Sequence, residues 1–335
     1  MKALILSAGH GKRMAPITDR IPKPLIPVLN TAVIEYNIRF LRHYGIREIF
    51  INLHHQGEKI MSALGDGSEL DVEIKYLHEE GILGTGGAIG SLKGLVDETF
   101  IVLNADTIFD FDLQTILDFH KTGDAQVTLG LVSAGSDNPF SQIAVDKDNR
   151  ITRIIDTSLF SPPEENNAIF TGLHVMEPEI LDYIPNDVFV SITTEVYCLL
   201  IKQREHINGF LIDGKWWDMG TPENYLKCNF EILDYGPLSY FNPMKKFKHH
   251  SVTESDNEKR VVVMGNSVQI PALPVNSPLM IGNNVKINGV ENLGPFLIIG
   301  DGVKISGNKK SSCAVYLSKS KGKNFLETER GMIYY

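Results

Sequence analysis

The segment with the strongest chemical signal is LSAGHGKRMAPITDRIPKPLIPV, residues 6–28. Gly9 and Gly11 allow a tight backbone turn that presents N–H groups to an anion. Lys12 and Arg13 add positive charge beside that turn. A guanidinium binds phosphate in a bidentate manner, whereas the ammonium of lysine acts as a point charge. These residue types at this spacing indicate an anion-binding loop.

A second lysine in the same segment is flanked by two prolines. Lys23 stands between Pro22 and Pro24. The prolines fix the local backbone and so limit the directions in which the lysine side chain can point. A solvated surface lysine needs no such frame, so the segment as a whole predicts a loop built around a polyphosphate.

Two common phosphate-binding motifs do not fit this loop. The dinucleotide fingerprint requires G-x-G-x-x-G, and its third glycine position is Met14 here. The P-loop requires four residues between its glycines and a Ser or Thr after its lysine. Only one residue separates Gly9 from Gly11, and Arg13 follows Lys12.

The elements around the loop predict an α/β fold. Short apolar strands alternate with helical patterns over roughly 230 residues, which is typical of a Rossmann-like, mostly parallel sheet with helices on both faces. The predicted strands are 2–7, 48–53, 72–77, 100–106 and 125–132, and the predicted helices are 31–44 and 56–64. Ligands bind beyond the carboxyl ends of such strands, where the Gly-rich turn and Asp106 are expected.

An internal repeat occupies the C-terminal part of the chain. PLMIGNNVKING (278–289) matches PFLIIGDGVKISG (295–307), with Ile281 aligned to Ile299 at an offset of 18. A weaker copy, VVMGNSVQI (262–270), precedes them at an offset of 17. A hexad-based Ile-Gly-x-x-Val unit resembles a parallel β-helix, and about three coils are visible.

Composition changes between these two regions. The stretch 243–260 is polar and charged, which indicates a linker or an exposed loop that includes His249 and His250. We therefore expect a catalytic domain at 1–235, a linker at 236–260 and a short repeat domain at 261–335.

Charge and length exclude several classes of protein. The 32 basic and 41 acidic residues give a net charge of −9, which disfavours nucleic-acid binding over a broad face. No apolar run reaches the ~18 residues of a membrane span, and the N-terminus lacks the features of a signal peptide, so we expect a cytoplasmic protein without a membrane partner. The three cysteines form neither a disulfide framework nor a zinc pattern.

The residues from Gly9 to Leu25 resemble the signature of the sugar-1-phosphate nucleotidylyltransferases, or NDP-sugar pyrophosphorylases: G-x-G-x-R-x-x-P-x-T-x-x-x-P-K-P-L. Further matches follow in that family's order: LGTGGAI (83–89), LNAD (103–106), FTGLHVMEPEIL (170–181), SITTEV (191–196) and GKWWDMGTPENY (214–225). The repeat resembles the left-handed β-helix of mannose-1-phosphate guanylyltransferases. The catalytic part is also similar to bacterial N-acetylmuramate-1-phosphate uridylyltransferases.

This resemblance implies a reaction and its partners. An oxygen of a sugar-1-phosphate attacks the α-phosphorus of a nucleoside triphosphate. Pyrophosphate is the leaving group, and the product is an NDP-sugar. The nucleophile is already an anion, so catalysis is mostly positioning and charge neutralisation. The implied cofactor is Mg²⁺, and the repeat favours GTP and mannose-1-phosphate as substrates.

The family's functional residues map onto positions of this chain. The resemblance assigns the metal to Asp106 and Asp218, the departing pyrophosphate to Arg13, and neutralisation of the reacting phosphates to Lys23. It assigns nucleotide binding to Ala8, Gly9, Gly11, Lys12, Glu79 and Gly84, and sugar binding to Gly172 and Glu195. Structural alternatives remain: Asp106 could cap the next helix, Gly172 could serve only a turn, and Glu195 could be solvated.

One departure from the family keeps other functions open. The stretch RIIDTSLFSPPEENN (153–167) lacks the lysine of the family's Glu-Lys-Pro motif, for which Arg153 is a candidate substitute. A non-catalytic nucleotide-sugar sensor and a cytidylyl- or uridylyltransferase acting on another phosphate, such as phosphocholine, are therefore alternatives. The repeat suits a homo-oligomer contact or a regulatory surface better than a second, acyltransferase activity.

Overall fold

The structure is a computed structural model that describes residues 1–134, 143–154, 166–186, 188–247, 249–255, 258–270, 275–290, 293–306, 312–318 and 325–335. The chain forms two compact units. The first comprises Met1–His10, Pro22–Pro24 and Asn37–Trp216, and the second comprises Gly11–Ile21, Leu25–Tyr36 and Trp217–Tyr335. Among the described residues, none of the helices has the length and apolar character that a membrane span requires.

Strands and helices alternate through the N-terminal two thirds of the chain. The strands are β1 (Ala3–Leu6), β2 (Pro27–Val28), β3 (Thr31–Ala32), β4 (Glu48–Leu53), β5 (Glu73–His78), β6 (Phe100–Asn104), β7 (Thr107–Asp110), β8 (Val127–Ser133), β9 (Ile143–Val145), β10 (Ile151–Ile154), β11 (Asn166–Met176), β12 (Ile207–Leu211) and β13 (Lys215–Asp218). The α-helices are α1 (Val33–His43), α2 (Gly57–Leu64), α3 (Gly84–Gly90), α4 (Leu113–Thr122), α5 (Cys198–Gln203) and α6 (Pro222–Tyr235). A π-helix spans Ile192–Tyr197, and short 3₁₀ helices include Lys12–Met14 and Lys23–Leu25.

The first unit is built on a sheet with a parallel centre. Its strand order is β5-β4-β1-β6-β11-β9-β10, and β8 pairs with both β11 and β12. The strands β5, β4, β1 and β6 run parallel, and β11 runs antiparallel to β6, β8 and β9. Leu4 and Ile5 in the central strand are completely buried, as expected where both faces of a sheet are covered. The predicted α/β architecture is confirmed.

Local pattern predicted these elements to within one or two residues. The helix expected at 31–44 is α1, whose side chains at Val33, Ile34, Ile38 and Leu41 are buried. The strand expected at 100–106 ends at Asn104 instead, because residues 105 and 106 form the turn into β7. Asp106 therefore follows the carboxyl end of β6 directly, beside the end of β1.

The second unit contains the C-terminal repeat. Its strands are β14 (His249–Ser255), β15 (Glu258–Met264), β16 (Leu279–Ile281), β17 (Lys286–Asn288), β18 (Leu297–Ile299), β19 (Lys304–Ser306), β20 (Ala314–Tyr316), β21 (Phe325–Thr328) and β22 (Gly331–Tyr334). The strands β15, β16, β18, β20 and β22 pair in parallel. Leu279 pairs with Leu297, and Val262 pairs with Leu279, so the predicted offsets of 18 and 17 are the register of the sheet.

Parallel pairing recurs at two further positions of each repeat. β17 pairs in parallel with β19, and single parallel bridges join Gln269 to Lys286 and Val275 to Leu293. The apolar residues of the repeat motif fill the interior, where Ile281, Val285 and Ile287 are completely buried. The hexad pattern therefore predicts both the pairing and the core of this region.

Polar side chains bond successive repeats to one another. The Oδ1 of Asn283 accepts from the backbone N–H of Asn266 at 2.8 Å, and the Oδ1 of Asp301 accepts from that of Asn283 at 2.7 Å. Ser318 Oγ accepts in the same way from Asp301 N–H at 3.2 Å. Asn283 and Asp301, each directly after a repeat glycine, and Ser318, at the equivalent position after Leu317, thus each satisfy a backbone donor of the preceding repeat.

Part of the expected linker is regular structure. β14 pairs with β15 in antiparallel register from His249–Met264 to Ser255–Glu258. The backbone of His249 and His250 therefore belongs to a strand next to the first repeat. The apolar run VVVM at 261–264 was the signal for β15, but the polar and charged sequence of β14 offered none.

Candidate active site

The loop after β1 begins in the first unit. Ser7 and Ala8 are buried, and the chain then emerges at Gly9 and His10. A Cβ built on Gly9 would meet no heavy atom of the described chain within 4 Å, so the backbone there is open to a ligand. The sequence predicted Ala8 and Gly9 as nucleotide contacts, and their placement after a central parallel strand suits that prediction.

The remainder of the loop belongs to the second unit. Gly11 has a φ of 65°, a left-handed conformation that favours glycine, and it precedes the 3₁₀ turn that contains Lys12 and Arg13. Thr18 Oγ1 donates to the carbonyl oxygen of Gly11 at 3.1 Å. The signature threonine therefore holds the turn that presents the two basic side chains.

Lys23 and Asp106 form an ion pair within the first unit. Lys23 Nζ donates to Asp106 Oδ2, and the two side chains are only 12% and 23% exposed. The helix that follows β7 is capped by Asp112, whose carboxylate accepts from Gln114 N–H at 3.0 Å. Asp106 is therefore not the cap of that helix. It is a partly buried carboxylate neutralised by the proline-framed lysine.

Asp218 ends β13 and is held within the second unit. Its Oδ2 accepts from Asn224 Nδ2 of α6 at 2.8 Å. A Cβ on Gly220 would lie 2.9 Å from Asp218 Oδ2 and 3.1 Å from Arg13 Nη2. The signature arginine and this carboxylate therefore both approach the Gly220 backbone, and a larger residue there would have to displace one or both side-chain ends.

Glu79 and Gly84 lie beside the LGTGGAI segment. Glu79 is buried, and both of its carboxylate oxygens accept hydrogen bonds from protein N–H groups. Gly84 has a φ of +72°, and its Cβ would stand 2.5 Å from the carbonyl oxygen of Val190. Gly86 N–H donates to that same oxygen at 2.8 Å. The glycines of this segment thus allow residues around Val190 to pack directly on the start of α3.

The two predicted sugar contacts have clear structural partners. Gly172 in β11 has a φ of +83°, and its Cβ would lie 2.4 Å from Asn104 Nδ2. Glu195 lies in the π-helix, where its Oε2 accepts from Ser191 N–H at 2.6 Å, which is a capping contact. π-Helices are rare and often occur at functional sites. His174 Nδ1 and the hydroxyl of Tyr197 lie 2.5 Å apart and connect β11 to this helix.

Sequence reasoning missed several residues that organise these groups. Asn52 is a buried amide near the end of the strand EIFINL, and Asn104 ends the strand FIVLN; both residues pair with Leu6 of β1. A polar residue at the end of an apolar strand was the available signal. Most of the stretch that lacks the Glu-Lys-Pro lysine, 155–165, lies outside the described residues.

A family model described as "Nucleotidyl transferase" matches residues 2–234. The chain belongs to the nucleotidyl transferase family. This confirms the resemblance predicted from the signature and the ordered motifs, and it makes the chain a member of an enzyme family whose curated members include sugar-1-phosphate nucleotidyltransferases.

Two relatives show how far the similarity of this nucleotidyl transferase extends. It is 31% identical over 233 residues to "Mannose-1-phosphate guanylyltransferase" of Mycobacterium tuberculosis, covering 69% of this chain and 64% of that protein's length. It is 30% identical over 332 residues to "UTP--glucose-1-phosphate uridylyltransferase" of Synechocystis, covering 92% of this chain and 77% of that protein.

A solved structure shares the fold. HddC from Yersinia pseudotuberculosis, in a structure complexed with GMP-PN, superposes with a TM-score of 0.58 at 21% identity. The match covers 69% of this chain and 98% of that one. The nucleotidyl transferase thus has the α/β fold of this known protein.

Proposed function

We propose that this protein joins a nucleoside triphosphate and a sugar-1-phosphate to give an NDP-sugar and pyrophosphate. The observation that carries the proposal is the partly buried Lys23–Asp106 pair at the carboxyl end of β6. A lysine and an aspartate from two family motifs are brought together where an α/β fold binds its ligand. A sensor without turnover would not need this pair of charges.

The proposed substrates are GTP and mannose-1-phosphate. The mycobacterial relative with that activity in its name supports this pair, as does the presence of a C-terminal repeat. UTP and glucose-1-phosphate form the second candidate pair, because the Synechocystis relative aligns over 92% of this chain and so includes the repeat.

The chain's own residues supply position and charge in this reaction. The sugar-phosphate oxygen forms the new bond to the α-phosphorus, and the bond to the departing pyrophosphate breaks in line, with no proton removed from the nucleophile. Lys23 neutralises charge on the reacting phosphates, and Arg13 holds the pyrophosphate by bidentate hydrogen bonds. The open backbone at Gly9 presents N–H groups to the nucleotide.

The predicted Mg²⁺ ligands are Asp106 and Asp218. Among the described residues, no group of three or more His, Cys, Asp or Glu side chains is arranged to hold a metal ion. Two carboxylates still fit Mg²⁺, which commonly takes one or two carboxylates and completes its coordination with phosphates and water. Bound there, the metal would neutralise triphosphate charge.

The C-terminal repeat is proposed to be a short left-handed β-helix. Parallel pairing at three positions of the repeat unit, at offsets of 17 and 18, supports a coil with three faces, and the third position is paired by the Val275–Leu293 bridge. We further propose that it forms the contact of a homo-oligomer, and that residues 1–235 carry the chemistry.

Pyrophosphate release tests the proposal. The purified protein is assayed with Mg²⁺ and each of GTP, UTP, dTTP, CTP and ATP, in combination with mannose-1-phosphate, glucose-1-phosphate and phosphocholine. Release with one sugar-1-phosphate supports the proposal and identifies both substrates. Pyrophosphate release only with phosphocholine would replace the proposed activity with that of a transferase for another phosphate. No release from protein that still binds a nucleotide sugar would favour a non-catalytic sensor.

A matched pair of variants tests the metal assignment. Asp106→Asn should reduce release at least ~100-fold, because charge stabilisation of this kind contributes several kcal/mol. Asp182→Asn removes an acid whose side chain is 76% exposed and should leave release unchanged. Equal activity of the two variants would reject the role of Asp106.

A further inference from the structure

A chain of buried hydrogen bonds joins two loops of the first unit. Ser7 N–H donates to Asn52 Oδ1 at 2.7 Å, Asn52 Nδ2 donates to Glu79 Oε1 at 2.7 Å, and Leu83 N–H donates to Glu79 Oε2 at 3.0 Å. Ser7, Asn52 and Glu79 are 3%, 3% and 8% exposed. We call this chain the Ser7–Leu83 relay.

The relay connects the two segments that the family motifs identify with the nucleotide. At one end is the first residue after β1, next to Ala8 and Gly9. At the other end is Leu83, which immediately precedes α3 and the glycine run. The backbone of Glu79 is also fixed, since its N–H donates to Leu53 O at 2.9 Å.

The direction of every bond in the relay is determined. Both ends are backbone N–H groups, which can only donate. The side chains between them must therefore offer an acceptor to Ser7 and an acceptor to Leu83, with one donor left for the bond between them. One amide and one carboxylate at positions 52 and 79 meet this requirement, whereas two amides or two carboxylates do not.

We propose that Asn52 and Glu79 are positioning residues that hold the two nucleotide-binding loops in register with each other. This inference rests on the proposed function. Both carboxylate oxygens of Glu79 are occupied by protein donors, so Glu79 acts on the nucleotide through the loops that it joins. Binding of the nucleoside triphosphate then depends on the relay as a unit, more than on either side chain alone.

Exchanging the two functional groups gives a sharp test. In Glu79→Gln, an amide N–H₂ must face a donor, and in Asn52→Asp, two carboxylates face each other. In the double variant Asn52→Asp/Glu79→Gln, the new carboxylate at position 52 accepts from Ser7 N–H and from the new amide at position 79. The oxygen of that amide accepts from Leu83 N–H. The double variant therefore restores all three bonds and the wild-type net charge.

Two measurements test whether the relay couples the two loops and supports nucleotide binding. Amide hydrogen exchange of peptides spanning Ser7 and Leu83 reports on the loops without a ligand, and calorimetry with GTP and with UTP reports on nucleotide binding. We expect each single variant to lose protection from hydrogen exchange at both peptides and to bind the nucleotide about tenfold more weakly. In steady-state kinetics, the same change should raise KM for the triphosphate with little change in kcat. The double variant should recover to within about threefold of wild type. Glu80→Gln, an exposed neighbour with the same charge change, should match wild type.

The outcomes separate this inference from the proposed function. Unchanged exchange and binding in the single variants, or a double variant as weak as its parents, would overturn the relay while leaving the transferase intact. Wild-type protein that neither binds a triphosphate nor releases pyrophosphate would reject the proposed function and the nucleotide role of the relay. Hydrogen exchange would in that case still confirm or refute the coupling of the two loops.

Discussion

The central sheet of the first unit and the C-terminal repeat place their polar side chains differently. In the sheet, Asn52 and Asp106 stand at or just after the ends of β4 and β6, and each side chain has a partner of its own: Asn52 donates to Glu79 Oε1, and Asp106 accepts from Lys23. In the repeat, Asn283, Asp301 and Ser318 occupy one equivalent position and make one equivalent bond. The polar groups of the repeat therefore make one contact over and over between successive repeats, whereas those of the sheet each make a different contact.

The largest expected effect is a loss of kcat on substitution of Lys23 in the first unit. If Lys23 has its proposed role, Lys23→Ala should lower kcat for pyrophosphate release by about 1,000-fold, because the charge proposed to neutralise the reacting phosphates is removed. Lys93→Ala, which breaks an exposed ion pair with Asp182 at 3.1 Å, serves as the control. Steady-state kinetics decides, and a Lys23→Ala variant with more than about a tenth of wild-type kcat would contradict the assignment.

Two glycine-to-alanine variants, compared by their unfolding free energy, test the contact between Gly172 and Asn104. Gly172→Ala should cost about 3 kcal/mol of unfolding free energy, because the new Cβ adds a clash with Asn104 to left-handed strain. Gly94→Ala has nearly the same φ, +77°, with no atom of the described chain within 4 Å, and should cost only about 1 kcal/mol. Urea unfolding of the two variants gives the difference, and equal losses would show that the Asn104 contact is unimportant.

Low pH should lower the stability of the first unit, because His174 is buried in its neutral form. Burial lowers the pKa of His174 to about 3, whereas the imidazole of an unfolded chain titrates near its ordinary value of 6.5. The unfolded state therefore binds more protons between these values, so stability falls as pH decreases below 6.5, by up to about 1.4 kcal/mol per pH unit. His174→Gln should flatten this dependence in unfolding curves measured from pH 7 to pH 5. A wild-type slope retained by the variant would assign the acid sensitivity to other groups.

The smallest effect concerns the repeat. Asp301→Ala removes the acceptor for Asn283 N–H and should lower stability by about 1 kcal/mol, with kcat for pyrophosphate release within about threefold of wild type. Asp301→Asn keeps an Oδ1 acceptor and should recover most of the stability. Thermal unfolding and the release assay together test this, and a large loss of kcat would show that the repeat supports the chemistry directly.

Sequence predicted the features that depend on local periodicity. The helix at 33–43 and the strand at 48–53 follow from the spacing of apolar residues, and the 18-residue register of the repeat follows from aligned Ile-Gly-x-x-Val units. The family motifs also indicated Lys23 and Asp106 as site residues, and the structure brings these two side chains together. These signals are visible because each is contained within a short stretch of chain.

Contacts between distant segments could not be predicted in this way. Asn52 and Glu79 are 27 residues apart and meet only because β4 and β5 lie side by side. Gly84 was predicted as a nucleotide contact, and nothing in the sequence indicated its close neighbour Val190, about a hundred residues further along the chain. Such partners depend on the sheet order, which the sequence alone did not establish.

The regular register of the C-terminal strands also affects how this part of the chain can change in length. Gly282 and Gly300 occupy equivalent places, and each donates its N–H to a carbonyl oxygen in the strand of the following repeat, at Ile299 and Tyr316. Excision of residues 282–299 would join Ile281 directly to Gly300, restoring an Ile-Gly junction and leaving equivalent neighbours above and below. We therefore expect this region to accept deletions and duplications of whole repeats of 17 or 18 residues, whereas a loss of one or two residues would shift the pairing register of every later strand.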